Sequence, residues 1–245
     1  MSAPSQTQQQ IRLAVIGASG RMGSEVAALA SETGEWKLAV SVSRESAAGF
    51  SRSIGALDAR TANEVDAVID FSLPAATVAV ADWCKVNKKP LISGVTGIGD
   101  SERAALISAS RETAVLWAPN MSLGVAAMAR MLCVWSKLDG FDFQIEEIHH
   151  KQKKDRPSGT ALFLQEQLEK AVGSVLPEPI AIRGGGVVGV HRAWAFGEDE
   201  TIVLEHSAGS RRVFARGALA AARWILKQKP GFYEIADVLG FVAPA

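Results

Sequence analysis

The sequence predicts an α/β protein: a doubly wound parallel sheet followed by a second, α+β domain with a mixed sheet. Three observations predict it. Short apolar runs alternate with helical patterns through the first half of the chain, as βαβ units require. A glycine-rich turn, Gly17-Ala18-Ser19-Gly20-Arg21-Met22-Gly23, joins the first apolar run to the first helical pattern. After Pro119-Asn120 the texture changes to Ala-, Met- and Leu-rich helical stretches and alternating runs, which suit helices packed on a mixed or antiparallel sheet.

The elements follow in order. Residues 11–16 form an apolar run ending in glycine, a buried strand, and 24–31 a helix. Residues 36–42, 66–71, 90–94 and 114–118 are the next four strands, separated by helices at 74–86, opened by proline, and at 102–110. In the second half, 124–137 and 158–172 are helical. Residues 141–149 alternate, with Phe143, Ile145 and Glu147 on one side and Gln144, Glu146 and Ile148 on the other. Residues 183–206 hold short β-like runs broken by Gly184-Gly185-Gly186, Gly189 and Gly197. Residues 214–227 return to helix, and 233–241 form a short apolar tail. The expected division is a dinucleotide-binding domain at 1–120 and a substrate-binding and oligomerisation domain at 121–214, with segment 215–245 packing back on the first.

Composition narrows the function classes. With 26 Lys plus Arg against 26 Asp plus Glu the formal charge is zero, so no global field recruits nucleic acid or a membrane surface. An anionic ligand must be held by local charge. Cys84 and Cys133 sit in helical patterns outside any Cys-x-x-Cys and read as small apolar residues of a reducing compartment. The polar stretch 1–10 lacks the apolar core of a signal peptide, and no run approaches the ~20 apolar residues of a membrane span. A cytoplasmic protein is expected.

The glycine loop has the context of a dinucleotide fingerprint, directly after a strand and before a helix. Gly17 allows the tight turn, Gly20 lets backbone approach phosphate, and Gly23 lets the helix lie against the strand. The helix N-terminus offers free N–H groups and the positive dipole end to a pyrophosphate, with Arg21 adding a charge. The first domain is therefore read as a Rossmann-type fold. The end of the second strand reads Ser41-Val42-Ser43-Arg44. The carboxylate that bonds the ribose 2′-OH in NAD-preferring sites is missing there, and Arg44 can pair a 2′-phosphate. NADPH is the expected reductant; NADH stays open, because Glu45 stands one residue later.

The second domain carries Glu146-Glu147-Ile148-His149-His150-Lys151-Gln152-Lys153-Lys154-Asp155-Arg156-Pro157-Ser158-Gly159-Thr160. A histidine donates a proton near neutral pH, and a lysine binds a carboxylate or serves as an acid. Ser158 is placed to cap the following helix, so the N–H groups of Gly159 and Thr160 point at whatever precedes it. Together they suggest a small anionic substrate that is protonated as it is reduced. A metal site fits less well, since His149 and His150 point to opposite faces of a strand and no third ligand is evident. The Lys151 to Lys154 run lacks the aromatic interleaving of a nucleic-acid surface. A solvated charged loop is the plain competitor.

Glu147-Ile148-His149-His150, Lys153, Asp155 and Pro157-Ser158-Gly159-Thr160-Ala161 also form a specific string. With Gly17 to Gly23, Asp70-Phe71-Ser72 and Pro74, Gly94-Val95-Thr96-Gly97, Ala118-Pro119-Asn120-Met121-Ser122, and Ser210-Arg211 with Phe214-Ala215, the chain resembles the 4-hydroxy-tetrahydrodipicolinate reductase (dihydrodipicolinate reductase) family from Ile11 to Leu239. The resemblance implies a homotetramer that transfers hydride from NADH or NADPH to a cyclic imine dicarboxylate with loss of water, in diaminopimelate and lysine biosynthesis. It implies His149 as proton donor/acceptor and Lys153 as the second acid, with His150, Gly159 and Thr160 on the substrate carboxylates. It places Gly17, Ala18, Ser19, Gly20, Arg21, Met22, Ser43, Arg44, Phe71, Gly94, Val95, Thr96, Ala118, Pro119, Asn120 and Met121 at the cofactor. Three positions depart from the family pattern: Ser43 where an acid is common, Val95 where a threonine is usual, and Met121 in place of phenylalanine.

Overall fold

The computed structural model describes residues 10–43, 57 and 59–240, and the chain falls into two compact units. The first comprises residues up to Met121 together with Phe214–Val238. Its strands are β1 (Ile11–Ile16), β2 (Trp36–Val42), β3 (Ala67–Asp70), β4 (Leu91–Ser93) and β5 (Ala114–Trp117), and a later strand, β10 (Gly231–Tyr233). They make one six-stranded sheet in the order β10-β5-β4-β3-β1-β2, with every neighbouring pair parallel. Strand order reverses at β1, the switch point where open α/β sheets bind ligands beyond their carboxyl ends.

The helices of this unit are α1 (Arg21–Glu32), the short α2 (Ala59–Ala62), α3 (Pro74–Asn87) and α4 (Asp100–Ser110). Right-handed crossovers put α1 on one face and α3 and α4 on the other. Val80, Ala81 and Cys84 of α3 and Leu106 and Ala109 of α4 pack on Ile16, Val68, Leu91 and Val115 of the sheet. β3 is buried along its whole length, as a central parallel strand must be when both its faces are covered. Proline opens α3 at its first turn, where its missing N–H costs nothing. Helix α7 (Arg212–Ile225) presents a small-residue face of buried Ala215, Gly217, Ala218, Ala221 and Ala222. Its Arg223 is bonded to Glu35 and lies over the Trp36 ring at the start of β2.

The second unit comprises Ser122–Val213 together with the chain from Leu239. It begins with α5 (Leu123–Leu132), a 3-10 turn (Cys133–Lys137) and β6 (Asp142–His149). After these come α6 (Gly159–Val172), β7 (Ile180–Arg183), β8 (Gly189–Phe196) and β9 (Thr201–Ala208). The four strands form a mixed sheet, β7-β6-β8-β9, in which β6 and β7 are parallel and the other pairs antiparallel. Val125, Met128 and Leu132 of α5 and Ala161, Leu164 and Leu168 of α6 cover one face, against Ile145, Ala193 and Ala195. The period of two in β6 follows: Ile145, Glu147 and His149 are buried on the covered face, and Gln144, Glu146 and Ile148 are only half-buried on the other.

The fold class agrees with the sequence reading; besides the short α2, which the sequence reading does not include, there are three local differences. The helix expected over 124–137 stops being α-helical at Leu132 and tightens into the 3-10 turn. The broken runs of 183–206 are two eight-residue strands plus the end of β7, and Gly189 opens β8. β10 lies where the sequence predicts only loop and tail. At three residues it is too short to carry periodicity, and it takes strand form by pairing with β5.

Candidate functional site

Two sites, one in each unit, collect the residues singled out above. In the first unit the loop after β1 is shaped by backbone. The N–H groups of Gly17 and Ala18 donate to Val42 O, folding the loop back on the end of β2. Gly17 has φ +76, and a Cβ there would fall 2.6 Å from Phe71 O. A Cβ on Gly23 would fall 2.2 Å from Gly17 O, so the first turn of α1 lies directly on the loop. Gly20 is the N-cap and brings no side chain to it. The first N–H groups of α1 have no intrahelical acceptor, and among the described residues no side chain caps them at Gly20. Ser19, Gly20 and Arg21 are exposed. A phosphate-bearing ligand fits that cradle, because it needs N–H donors and room where a side chain would otherwise stand.

The rest of the rim is built from the ends of neighbouring strands. Asp70 ends β3 fully buried. One of its oxygens accepts the N–H of Ser72 (2.9 Å), and burial pushes its carboxyl up to about 6 despite those bonds from Ser72. It fixes the turn that carries Phe71, whose ring lies against Gly94. Val95, Ala118 and Met121 are buried, so at this rim they offer backbone rather than side chain. Thr96 and Pro119 are exposed, Met22 and Asn120 half-buried, and Ser43 buried at the end of β2. Arg44 and Glu45 lie outside the described residues.

In the second unit the site grows from one buried carboxylate. Glu147 is 0% exposed. Arg183 Nη1 donates to its Oε2 (2.7 Å) and Nη2 to its Oε1 (2.6 Å). Ser158 N–H donates to Oε1 (3.1 Å), and His149 Nδ1 lies 2.5 Å from Oε2. Burial alone would raise this carboxyl, but the bonds from Arg183 and His149 hold it below the usual range. An ionised carboxylate only accepts, so His149 Nδ1 carries the hydrogen and Nε2 is left for chemistry. Burial is the largest influence on His149 and lowers it; with Lys153 and Arg183 acting in the same direction, it outweighs the bond and charge of Glu147, which raise it. The ring is correspondingly ready to release its proton.

Register places two more histidines beside it. Glu147 pairs with His191 across β6 and β8, and His191 with His206 across β8 and β9. The His149 and His191 rings meet edge-on at 5.1 Å, and His191 and His206 lie 6.3 Å apart. Each of the latter two pairs with a helix N-cap: His191 Nε2 with Ser158 Oγ (3.3 Å) at α6, and His206 Nε2 with Ser122 Oγ (3.2 Å) at α5. Burial lowers His206, and burial with the neighbouring His149 and His206 drives His191 down to about 3. Gly189 makes room for the arrangement; a Cβ there would stand 3.0 Å from His149 Nε2. Among the described residues no set of three His, Cys, Asp or Glu side chains converges to hold a metal ion.

The sequence-chosen residues lie around this core. Lys153 Nζ donates to Asp155 (2.8 Å), and His150 is half-buried next to His149. Ser158 Oγ accepts the N–H of Ala161 (3.2 Å), so it caps α6 as expected, yet it is turned inward and buried. Gly159 is exposed and Thr160 half-buried at the helix start. Sequence reasoning assigned no role to Glu147, Arg183, His191 or His206. One signal was available: the period of two puts Glu147 on the same face as His149.

Comparison with known proteins bears on both sites. Residues 11–121 match the family model for dihydrodipicolinate reductase, N-terminus, and residues 124–239 the model for its C-terminus. Among curated relatives, 4-hydroxy-tetrahydrodipicolinate reductase of Bdellovibrio bacteriovorus is 44% identical over 231 residues, covering 94% of this chain and 97% of the relative. The Wolinella succinogenes enzyme of that name is 40% identical, covering 94% and 99%. Among solved structures, dipicolinate-bound dihydrodipicolinate reductase from Paenisporosarcina sp. TG-14 shares the fold with a TM-score of 0.80 at 18% identity, over 94% of this chain and 99% of that one.

The histidine row makes a prediction about stability. His191 titrates near 3 in the folded protein and near 6.5 when unfolded. Its folded value is depressed, so its contribution is complete above about pH 6.5 and is lost as pH falls towards 3, because only the unfolded chain takes up the proton. Between pH 8 and pH 5 this one group should cost about 2 kcal/mol. In urea unfolding, His191→Gln should lose less stability than wild type over that interval by about that amount; parallel pH profiles would contradict it.

Proposed function

The chain belongs to the dihydrodipicolinate reductase family, and on that premise we propose how its residues divide the work. The protein is an NAD(P)H-dependent oxidoreductase of diaminopimelate and lysine biosynthesis, reducing 4-hydroxy-tetrahydrodipicolinate to tetrahydrodipicolinate. In the net reaction hydride replaces the 4-hydroxyl, one proton is consumed, and water leaves.

The cofactor is held by the first unit. Gly17, Ala18, Ser19, Gly20, Arg21 and Met22 bind the pyrophosphate through bare N–H groups and the α1 dipole. Ser43 and Arg44 receive the adenosine ribose, and Arg44 favours a 2′-phosphate there. Phe71, Gly94, Val95, Thr96, Ala118, Pro119, Asn120 and Met121 border the nicotinamide. Bound there, NAD(P)H supplies the hydride.

The substrate belongs to the second unit. The observation that carries this assignment is His149, held through Nδ1 by the buried Glu147, in the same segment as Lys153 and the start of α6. His149 donates the proton from Nε2, and Lys153 serves as the second acid. His150, Lys153 and the N–H groups of Gly159 and Thr160 hold the substrate carboxylates, while Ser158 shapes the helix end from within. The dipicolinate in the Paenisporosarcina relative supports a dicarboxylate of this size.

We assign the enzyme to the cytoplasm, where its reductant is found; no helix among the described residues is long and apolar enough to cross a membrane. The assembly is a homotetramer. What supports this is the sheet face of the second unit away from α5 and α6. There Ile180, Ile182, Phe196 and Val203 are 50%, 42%, 41% and 44% exposed, and Trp194 stacks on Phe196 (5.7 Å). An apolar face of this kind on a soluble enzyme marks an interface.

Three outcomes test these readings. His149→Gln and Lys153→Ala should each lower kcat by about 100-fold or more while NADPH affinity changes little; weaker cofactor binding with intact turnover would overturn the assignment. Arg44→Ala should raise KM for NADPH about 10-fold and leave NADH use unchanged. Light scattering should give the mass of four chains, and Val203→Asp should reduce it.

A further inference from the structure

We propose that Glu147 is the positioning residue for proton transfer at His149: its carboxylate fixes which imidazole nitrogen carries the hydrogen, aims Nε2 at the substrate, and ties the lysine segment and the α6 start to the same point. This rests on the reading of His149 as proton donor and deepens it.

Both oxygens of Glu147 are shared between support and function. Oε1 accepts from Arg183 and from the N–H of Ser158, the N-cap of α6. Oε2 accepts from Arg183 and from His149 Nδ1. Arg183 does not stop at Glu147: its Nη2 also donates to the carbonyl of Asp155 (2.6 Å), and Asp155 holds Lys153 Nζ. One carboxylate is thus joined by hydrogen bonds to the proton donor, to the helix end that meets the substrate carboxylate, and to the segment bearing the second acid. The Arg183 fork is rigid and bidentate, so the carboxylate cannot swing to follow the ring; the ring must follow the carboxylate.

The same carboxylate distinguishes His149 from the neighbouring His191. The charged or titratable groups facing the His149 ring are Glu147 on its own strand, Arg183 from β7, His191 from β8, and Lys153, paired with Asp155, from the following segment. Only Glu147 favours the imidazolium; Lys153 and Arg183 oppose it, as does burial. A protonated His191 would oppose it too, but His191 lacks the direct carboxylate bond that His149 has, and it stays neutral. Glu147 therefore favours the proton on His149 over His191, and by taking Nδ1–H it leaves Nε2, which lies over Gly189, as the nitrogen that exchanges the proton.

The test begins with wild type, so it does not depend on any Glu147 variant folding. Ring 15N shifts of the full-length protein, assigned with His149→Gln, should show neutral His149 as the Nδ1–H tautomer. An Nε2–H tautomer overturns the proposal. Glu147→Gln should lower kcat about 10- to 100-fold and move the high-pH loss of kcat down by about 1 pH unit or more, since the group that favoured the charged ring is gone. In a His149→Gln background the same change should cost less than about 2-fold, because coupled residues are not additive; an equal loss in both backgrounds marks a merely structural role and overturns the proposal. If Glu147→Gln does not fold, Glu147→Asp, which keeps the charge but retracts it from the ring, should show the tautomer shift. An unmoved pH limb with His149→Gln inactive defeats only the role of Glu147. Full turnover in His149→Gln defeats the reading of His149 itself and this inference with it.

Discussion

A carboxylate removed from water needs strong partners, and Glu147 has four donors on two oxygens: two from Arg183, one from Ser158 and one from His149. The second unit is arranged around that requirement. β6 brings the carboxylate and the histidine to one face two residues apart, and β7, parallel beside it, delivers Arg183 at the position paired with His149. The turn into α6 closes the set by turning Ser158 N–H inward. A buried ion pair is weak evidence of stability, since desolvation offsets most of the attraction. What the pair does supply is direction. Each bond to Glu147 fixes a group whose orientation would otherwise be free, among them His149, the proton donor of the proposed reading.

Close approach of backbone is the second recurring device, and it is used differently in the two units. In the first, Gly17 and Gly23 let a loop, a helix and the end of β3 converge on one point, so that backbone N–H groups form the proposed binding surface. In the second, Gly189 lets β8 pass beneath His149 so that the ring stays seated over the sheet. On the proposed reading, one site binds with backbone and the other acts with side chains held by backbone. The two serine caps, Ser122 and Ser158, extend the pattern. Each closes a helix and also fixes a histidine of the sheet, so helix ends and sheet face are aligned by the same hydroxyls.

Most of the fold was readable because its signals are local. Apolar runs and a glycine turn identify the parallel sheet, and the alternation of 141–149 identifies β6 and sorts its residues into two faces, though not which face is buried. What escaped was non-local. β10 exists only because β5 gives it a partner, and Gly189 reads as a breaker until its neighbour, the His149 ring, is known. The candidate site divides the same way. His149, His150, Lys153, Ser158, Gly159 and Thr160 stand in one segment and were legible. Arg183, His191 and His206 reach that segment through strand register, 34 residues from His149 in the nearest case, and a periodic pattern does not encode register between distant strands.

The neutral net charge of the chain has a bearing on how a dicarboxylate would be chosen. At physiological ionic strength fields fade over about 8 Å, so selection must come from groups in contact. Lys153 is already engaged with Asp155, and their side chains are 23% and 56% exposed. Partial burial would raise the Asp155 carboxyl, but Lys153 and backbone N–H groups, Gly159 among them, outweigh it and hold it low. On the proposed reading those are two of the groups that receive the substrate. Asp155 is then a carboxylate of the protein's own at the threshold of the carboxylate site. An ion pair this exposed is worth about 0–1 kcal/mol, so a substrate carboxylate displaces it at small cost. The pair keeps Lys153 extended towards the helix end beforehand, while the buried pair of Glu147 and Arg183 stays intact throughout. Weak and strong ion pairs thus have separate roles. On the proposed reading the exposed one is exchanged, and the buried one holds the frame in which the exchange takes place.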